Sequence, residues 1–134
     1  MNRPLLLFLY VPFISLFTFT SVHAQSPLSI TEQRLCKTWV LNRAKQVGKS
    51  NGADMALNDF VMIINSDHSV KQGMSPDGLI AGTWTINEKA MILTIKDSVT
   101  AQEYKMKIVS ITADELTLVD PAGDPAAFIY YHTK

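Results

Sequence analysis

Outside an apolar leader this chain carries two histidines, His68 and His132, and one cysteine, Cys36. A zinc site would ask for ligands at HExxH-like or paired-cysteine spacings. Neither histidine has such a companion, and Cys36 is remote from His132 in sequence. A Cys–His nucleophile pair would need an exposed thiol with a lowered pKa. Nothing in Arg34-Leu35-Cys36-Lys37 demands that, and a thiol beside Leu35 and near Trp39 reads as a small buried hydrophobe. Asp120 and Asp124 bracket Pro121-Ala122-Gly123, a loop too short and too poor in oxygen ligands for Ca²⁺. Asp-Pro steps are turn chemistry. Gly48-Lys49-Ser50 has the order of the end of a phosphate-binding loop, but the upstream glycine and the following helix are missing. The expectation is a protein without catalytic residues, metal site or cofactor.

The leader itself is informative. Arg3 precedes an almost unbroken apolar run from Leu5 to Phe19, and Ser21-Val22-His23-Ala24 then supplies a small-residue cleavage site. That order is a secretory signal peptide over residues 1–24, with Gln25 as the mature N-terminus. The run is broken by Pro12 and is shorter than the ~20 residues that span a bilayer, so no membrane span is expected in the mature chain. The periplasm or the extracellular space is the expected location. Lipid attachment at Cys36 is not expected, because Gln33-Arg34-Leu35 is too large and too charged to precede a lipidated cysteine. A lone cysteine also leaves no intramolecular disulfide, so the domain must be held by its core.

Removing residues 1–24 from 134 leaves 110, enough for one domain over residues 25–134. The full chain has 12 basic and 12 acidic residues, and loss of Arg3 leaves a net charge of −1. Such a balance provides no field to attract nucleic acid or an anionic membrane.

The elements that would position any site are strands. Thr38-Trp39-Val40-Leu41-Asn42 returns as Thr83-Trp84-Thr85-Ile86-Asn87, and in both copies Trp and Leu/Ile alternate with smaller or polar residues. Each copy reads as a half-buried strand with its Trp facing the core. Before the first, Ser29 and Glu32 have capping-box spacing, which predicts a short helix from Ile30 to about Cys36. It is too short to stand alone and must pack Ile30 and Leu35, as a plug across one end of the sheet would.

Eight strands come after the helix. They run from Lys37 to Val47, from Asp59 to Asn65 and from Ser69 to Gly73, then through Trp84 and Ile86, and through Met91, Leu93 and Ile95. The last three are carried by Tyr104, Met106 and Ile108, by Leu116 and Leu118, and by Ala126 to His132. Gly48–Asp54, Ser75-Pro76-Asp77-Gly78 and Asp120–Pro125 are loops and turns. Every connection is too short for a crossover helix, so the strands should pair antiparallel in sequence order. Closure removes exposed edges, which makes an all-β, eight-stranded up-and-down barrel the expected fold and a two-sheet sandwich the alternative.

Leu35-Cys36-Lys37-Thr38-Trp39, Asn65-Ser66-Asp67-His68-Ser69-Val70, Gly82-Thr83-Trp84 and Ile111-Thr112-Ala113-Asp114-Glu115-Leu116 together resemble the lipocalin-like domains of small exported bacterial proteins. The chain departs from that pattern at Lys37, where lipocalins usually have Gly, and at His68, where such modules often have Gly after Asp. The resemblance implies a lipocalin-like barrel able to bind a ligand, and carries no defined activity.

Strands of ~7 residues at ~3.3 Å each, tilted by ~40°, make a wall about 18 Å tall. Inward Trp39, Phe60, Met62, Trp84, Met91, Tyr104 and Met106 are the candidate ligand-binding residues, and they could equally fill the interior as plain core. A ligand would be small and apolar and would enter at the end bearing the Gly48–Asp54, Gly73–Gly82 and Asp120–Pro125 loops. Lys96, Lys105 and Lys107 form a solvated outer face. In the last strand Phe128 and Tyr130 share one face and Ile129 and Tyr131 the other, so one pair must face out or be covered by Ile30 or Pro27 of the N-terminal segment. An outward Ile129–Tyr131 pair would suit a protein interface. The expected function is a non-enzymatic exported module binding a small apolar ligand. The alternative is a protein-interaction or inhibitor-type module with a filled core and an envelope protein as partner.

Overall fold

The computed structural model describes residues 26–46, 60–74, 78–123 and 127–134. The leader, the Gly48–Asp54 loop, the Ser75-Pro76-Asp77 turn residues and Asp124 lie outside these. Trp39 with Leu41, and Trp84 with Ile86, each need apolar neighbours on one side of the chain only, and antiparallel pairing supplies them. The elements are α1 (Ile30–Leu35), β1 (Thr38–Gln46), β2 (Phe60–Ile64), β3 (Ser69–Met74), β4 (Ile80–Asn87), β5 (Ile92–Asp97), β6 (Glu103–Ile111), β7 (Glu115–Val119) and β8 (Ala127–Thr133). Each strand pairs antiparallel with the next, and β1 pairs with β8 to close the barrel. That closure excludes the two-sheet sandwich.

The register carries one apolar side chain to the next around the interior. Met62 lies opposite Trp39, Ile95 opposite Trp84, Leu93 between Ile86 and Met106, and Leu118 between Ile108 and Ile129. Tyr131 closes the ring between Leu116 and Leu41. Two irregularities adjust the wall. The pairing of β1 with β8 shifts between Leu41 and Arg43, and that of β6 with β7 shifts between Ile108 and Ser110. Extra residues of this kind bend a strand and re-aim the side chains beyond the bend, as curved walls require. Gly82, buried within β4, permits a close approach: a Cβ there would lie 2.4 Å from the Lys96 carbonyl oxygen.

α1 has the expected capping box. The Ser29 hydroxyl oxygen accepts from the Glu32 N–H at 3.1 Å, and the Glu32 carboxylate accepts from the Ser29 N–H at 2.8 Å. Leu35 is fully buried in the core, but Ile30 is 70% exposed, against expectation. Residues five apart lie roughly 140° apart around a helix, so a six-residue helix cannot press both onto one surface. Met91 also departs from its expected place. It sits in the turn before β5 with a left-handed φ of 54° and packs against the core from there.

The Trp echo marks one structural device used twice. The Trp39 indole N–H donates to the Leu35 carbonyl at 2.9 Å, and the Trp84 indole N–H to the Asn65 carbonyl at 2.9 Å. Both rings are buried, and each ties down the segment that closes the same end of the barrel. The echoed asparagines differ: Asn42 sits where β1 shifts register, while Asn87 accepts from the Ala90 N–H in the turn after β4.

Candidate functional site

Packing is uneven along the barrel axis. Leu35 at the α1 end and Trp39, Met62, Trp84, Leu93, Ile95, Leu116 and Leu118 along the strands are essentially inaccessible and form a solid floor. Above it, toward the ends of β2, β6 and β8 far from α1, a cup of about 610 Å³ remains open. Phe60, Met106, Ile129 and Tyr131 give it apolar walls, with Tyr104 at the mouth, 40% exposed. Gln72 is the uncharged polar side chain of the wall, facing in from β3 opposite Met62. Glu103, Asp120, Pro121 and Ala122 form part of the rim, and the Asp120 carboxylate accepts from the Ala122 N–H at 2.9 Å.

The seven residues singled out from sequence therefore separate by height. Phe60, Tyr104 and Met106 meet at the cup. Trp39, Met62 and Trp84 belong to the sealed floor, and Met91 lies at the α1 end. Gln72, Ile129 and Tyr131 line the cup but were not singled out. For Tyr131 the signal was present in the alternation of β8, which left open which of two pairs faces in. The register decides it. Ile129 and Tyr131 face in, while Phe128 and Tyr130 stack on the outer face with ring centroids 6.5 Å apart.

A second depression, also about 610 Å³, lies between α1 and the turn after β6, bounded by Ile30, Arg34, Lys37 and Ile111 to Ala113. It is a surface feature of mixed polarity, and Lys37 already spends its ammonium on the Ala113 carbonyl. The cup, walled by the barrel interior, is the better-formed site.

The residues that first suggested chemistry have structural work. His68 adopts a left-handed φ of 65° in the turn between β2 and β3, and its ring packs on Trp84 at 4.8 Å between centroids. Beside it, the Asp67 carboxylate accepts from the Ser69 hydroxyl at 2.6 Å and the Ser69 N–H at 2.9 Å, which holds its pKa below the ordinary carboxylate value. Cys36 is half-buried against the core. Burial, then the carboxylates of Glu32 and Asp67, push its thiol pKa up, the opposite of nucleophile activation. His132 is exposed on β8 opposite Glu115. Among the described residues no three His, Cys, Asp or Glu side chains converge on a metal-sized position, and no helix is long and apolar enough to cross a membrane.

What the fold and cup define is a closed eight-stranded antiparallel barrel, with a short helix at one end and, among the described residues, a cup at the other. No protein-family model matches the chain, and no curated protein matches it. Among solved structures, a DUF4847 family protein from Bacteroides vulgatus superposes with a TM-score of 0.58, covering 79% of this chain and 98% of its own. At 15% identity that likeness is one of fold.

Proposed function

We propose that this protein is an exported, non-enzymatic, lipocalin-like module that binds one small apolar ligand in the open end of its barrel. The observation that carries the reading is the cup of about 610 Å³ left above a fully packed floor. Small-molecule sites are typically concavities of about 300–1,000 Å³ with mostly apolar walls and a few placed polar groups. The cup has that size and composition. Export rests on the leader read at residues 1–24, and the periplasm or the extracellular space is its destination. The non-enzymatic reading is supported by the turn and core roles of His68 and Cys36.

The stacked Phe128–Tyr130 pair on the outer wall favours a second reading, a protein-interaction or inhibitor-type envelope module, since aromatic side chains are enriched in interfaces. Native mass spectrometry of the mature protein, purified gently from its own cell envelope, separates the two. An added small mass that leaves on organic extraction is expected. A bare protein mass, or a copurifying polypeptide, would displace the ligand-binding reading in favour of the second.

A further inference from the structure

Resting on the cup as a ligand site, the chemistry of its walls narrows what the ligand can be. Tyr131 is 5% exposed, faces the interior between Leu41 and Leu116, and lines the cup. Its hydroxyl has no hydrogen-bond partner among the described residues. No fully buried side-chain nitrogen or oxygen among those residues is left unsatisfied, so the Tyr131 oxygen keeps an opening. Tyr131 borders the cup and a smaller depression beside Glu115 and His132, and the cup is the one on the inward side of β8, where its side chain faces. Nearly complete burial without a protein partner is unusual for a phenol, which when buried generally finds one. Gln72 adds an inward-facing amide, also without a partner among the described residues.

The charged side chains at the cup are Glu103, Asp120 and Lys105. Lys105 alternates with inward Tyr104 and Met106 along β6, pairs with Thr94, and is exposed on the outer face. No described cation therefore faces inward to meet an acid head group, while two carboxylates stand at the rim. Among the described residues nothing inside the cup offers a ligand carboxylate a counter-charge, and desolvating an unpaired carboxylate is strongly unfavourable. A neutral group faces no such penalty and gains a waiting donor and acceptor.

We propose that Tyr131 is the polar anchor of the cup and that the site selects neutral apolar molecules bearing a hydroxyl or carbonyl, rejecting apolar carboxylates such as fatty acids. Burial keeps the phenol protonated well above neutral pH, so it remains able to donate. The Gln72 amide supplies the second hydrogen-bonding group of the wall.

The test uses three probes with one ring system, naphthalene, 2-naphthol and 2-naphthoate, titrated calorimetrically into the mature protein near neutral pH. In the wild type, 2-naphthoate should bind at least about tenfold more weakly than 2-naphthol. Tyr131→Phe should weaken 2-naphthol by about three- to tenfold and leave naphthalene unchanged. Equal binding of 2-naphthoate and 2-naphthol by the wild type would overturn the selectivity, with no variant needed. Equal losses for naphthol and naphthalene in Tyr131→Phe, or no loss for either, would overturn the anchor. In each of those cases the apolar cup itself survives. If the wild type binds none of the three, the cup reading falls and this inference with it.

Discussion

Burial pushes the Tyr131 phenol from its ordinary value of 10.0 to about 12. A raised folded-state pKa means that the folded protein holds this proton when the unfolded chain has lost it. Its contribution to stability is therefore complete below about pH 10 and disappears as pH rises through about 12. Two pKa units correspond to roughly 2–3 kcal/mol. Urea unfolding followed from about pH 9 to 12 should show a steep alkaline loss in the wild type and a shallower one, by about that amount, in Tyr131→Phe. Identical alkaline limbs would mean that the phenol is not the group responsible. Other residues show how far side-chain chemistry was legible beforehand. The reading of Cys36 as a small buried hydrophobe is met in part: it is half-buried against the core, and burial, then the Glu32 and Asp67 carboxylates, raise its thiol pKa. The role of His68 was not legible. Sequence showed a histidine where a turn favours glycine, but not that it adopts the left-handed φ itself and lays its ring on Trp84.

α1 poses the same question for an element. Its cap was legible because Ser29 and Glu32 act on neighbouring backbone, within reach of local spacing. Its packing was not, because which side of a six-residue helix is buried depends on where the barrel end lies. The fully buried Leu35 supplies the carbonyl that accepts from Trp39, whereas Ile30 stands 70% in solvent. Leu35→Ala should therefore cost about 2–5 kcal/mol by urea unfolding, as deletion of a buried leucine does. Ile30→Ala should stay within about 0.5 kcal/mol of wild type. Equal costs would mean that the helix docks by its other face. The strands were legible for the opposite reason to the helix packing. Period-two alternation is local, and once Trp39, Trp84, Leu93 and Met106 are all turned inward, sequential antiparallel pairing is the arrangement that results. The register shifts at Leu41/Arg43 and Ile108/Ser110 leave no such local mark.

For the molecule as a whole, the inward methionines left two outcomes open, a filled barrel or a ligand site. The structure has a filled floor and an open cup, at different heights. Met62 lies opposite Trp39 in the floor and is fully buried, while Met106, above it on β6, is half-buried and lines the cup. Sequence pattern could not separate them, because alternation reports which face a side chain is on and not how far along the barrel the interior stays closed. The two substitutions should accordingly have different effects. Met62→Ala opens a void in a packed layer, and about 2–5 kcal/mol of folding stability should be lost. Its affinity for naphthalene, measured well below its unfolding midpoint, should stay near wild type. Met106→Ala removes a wall already open to solvent on one side, so less stability is at stake. Loss of its contact with a bound ring should weaken naphthalene by about fivefold, close to 1 kcal/mol of apolar burial. If Met62→Ala weakened binding as much as Met106→Ala, the ligand would reach into the floor and the barrel would have to open below the cup. If neither did, naphthalene would be held elsewhere, and the groove between α1 and Ile111 would be the next place to look.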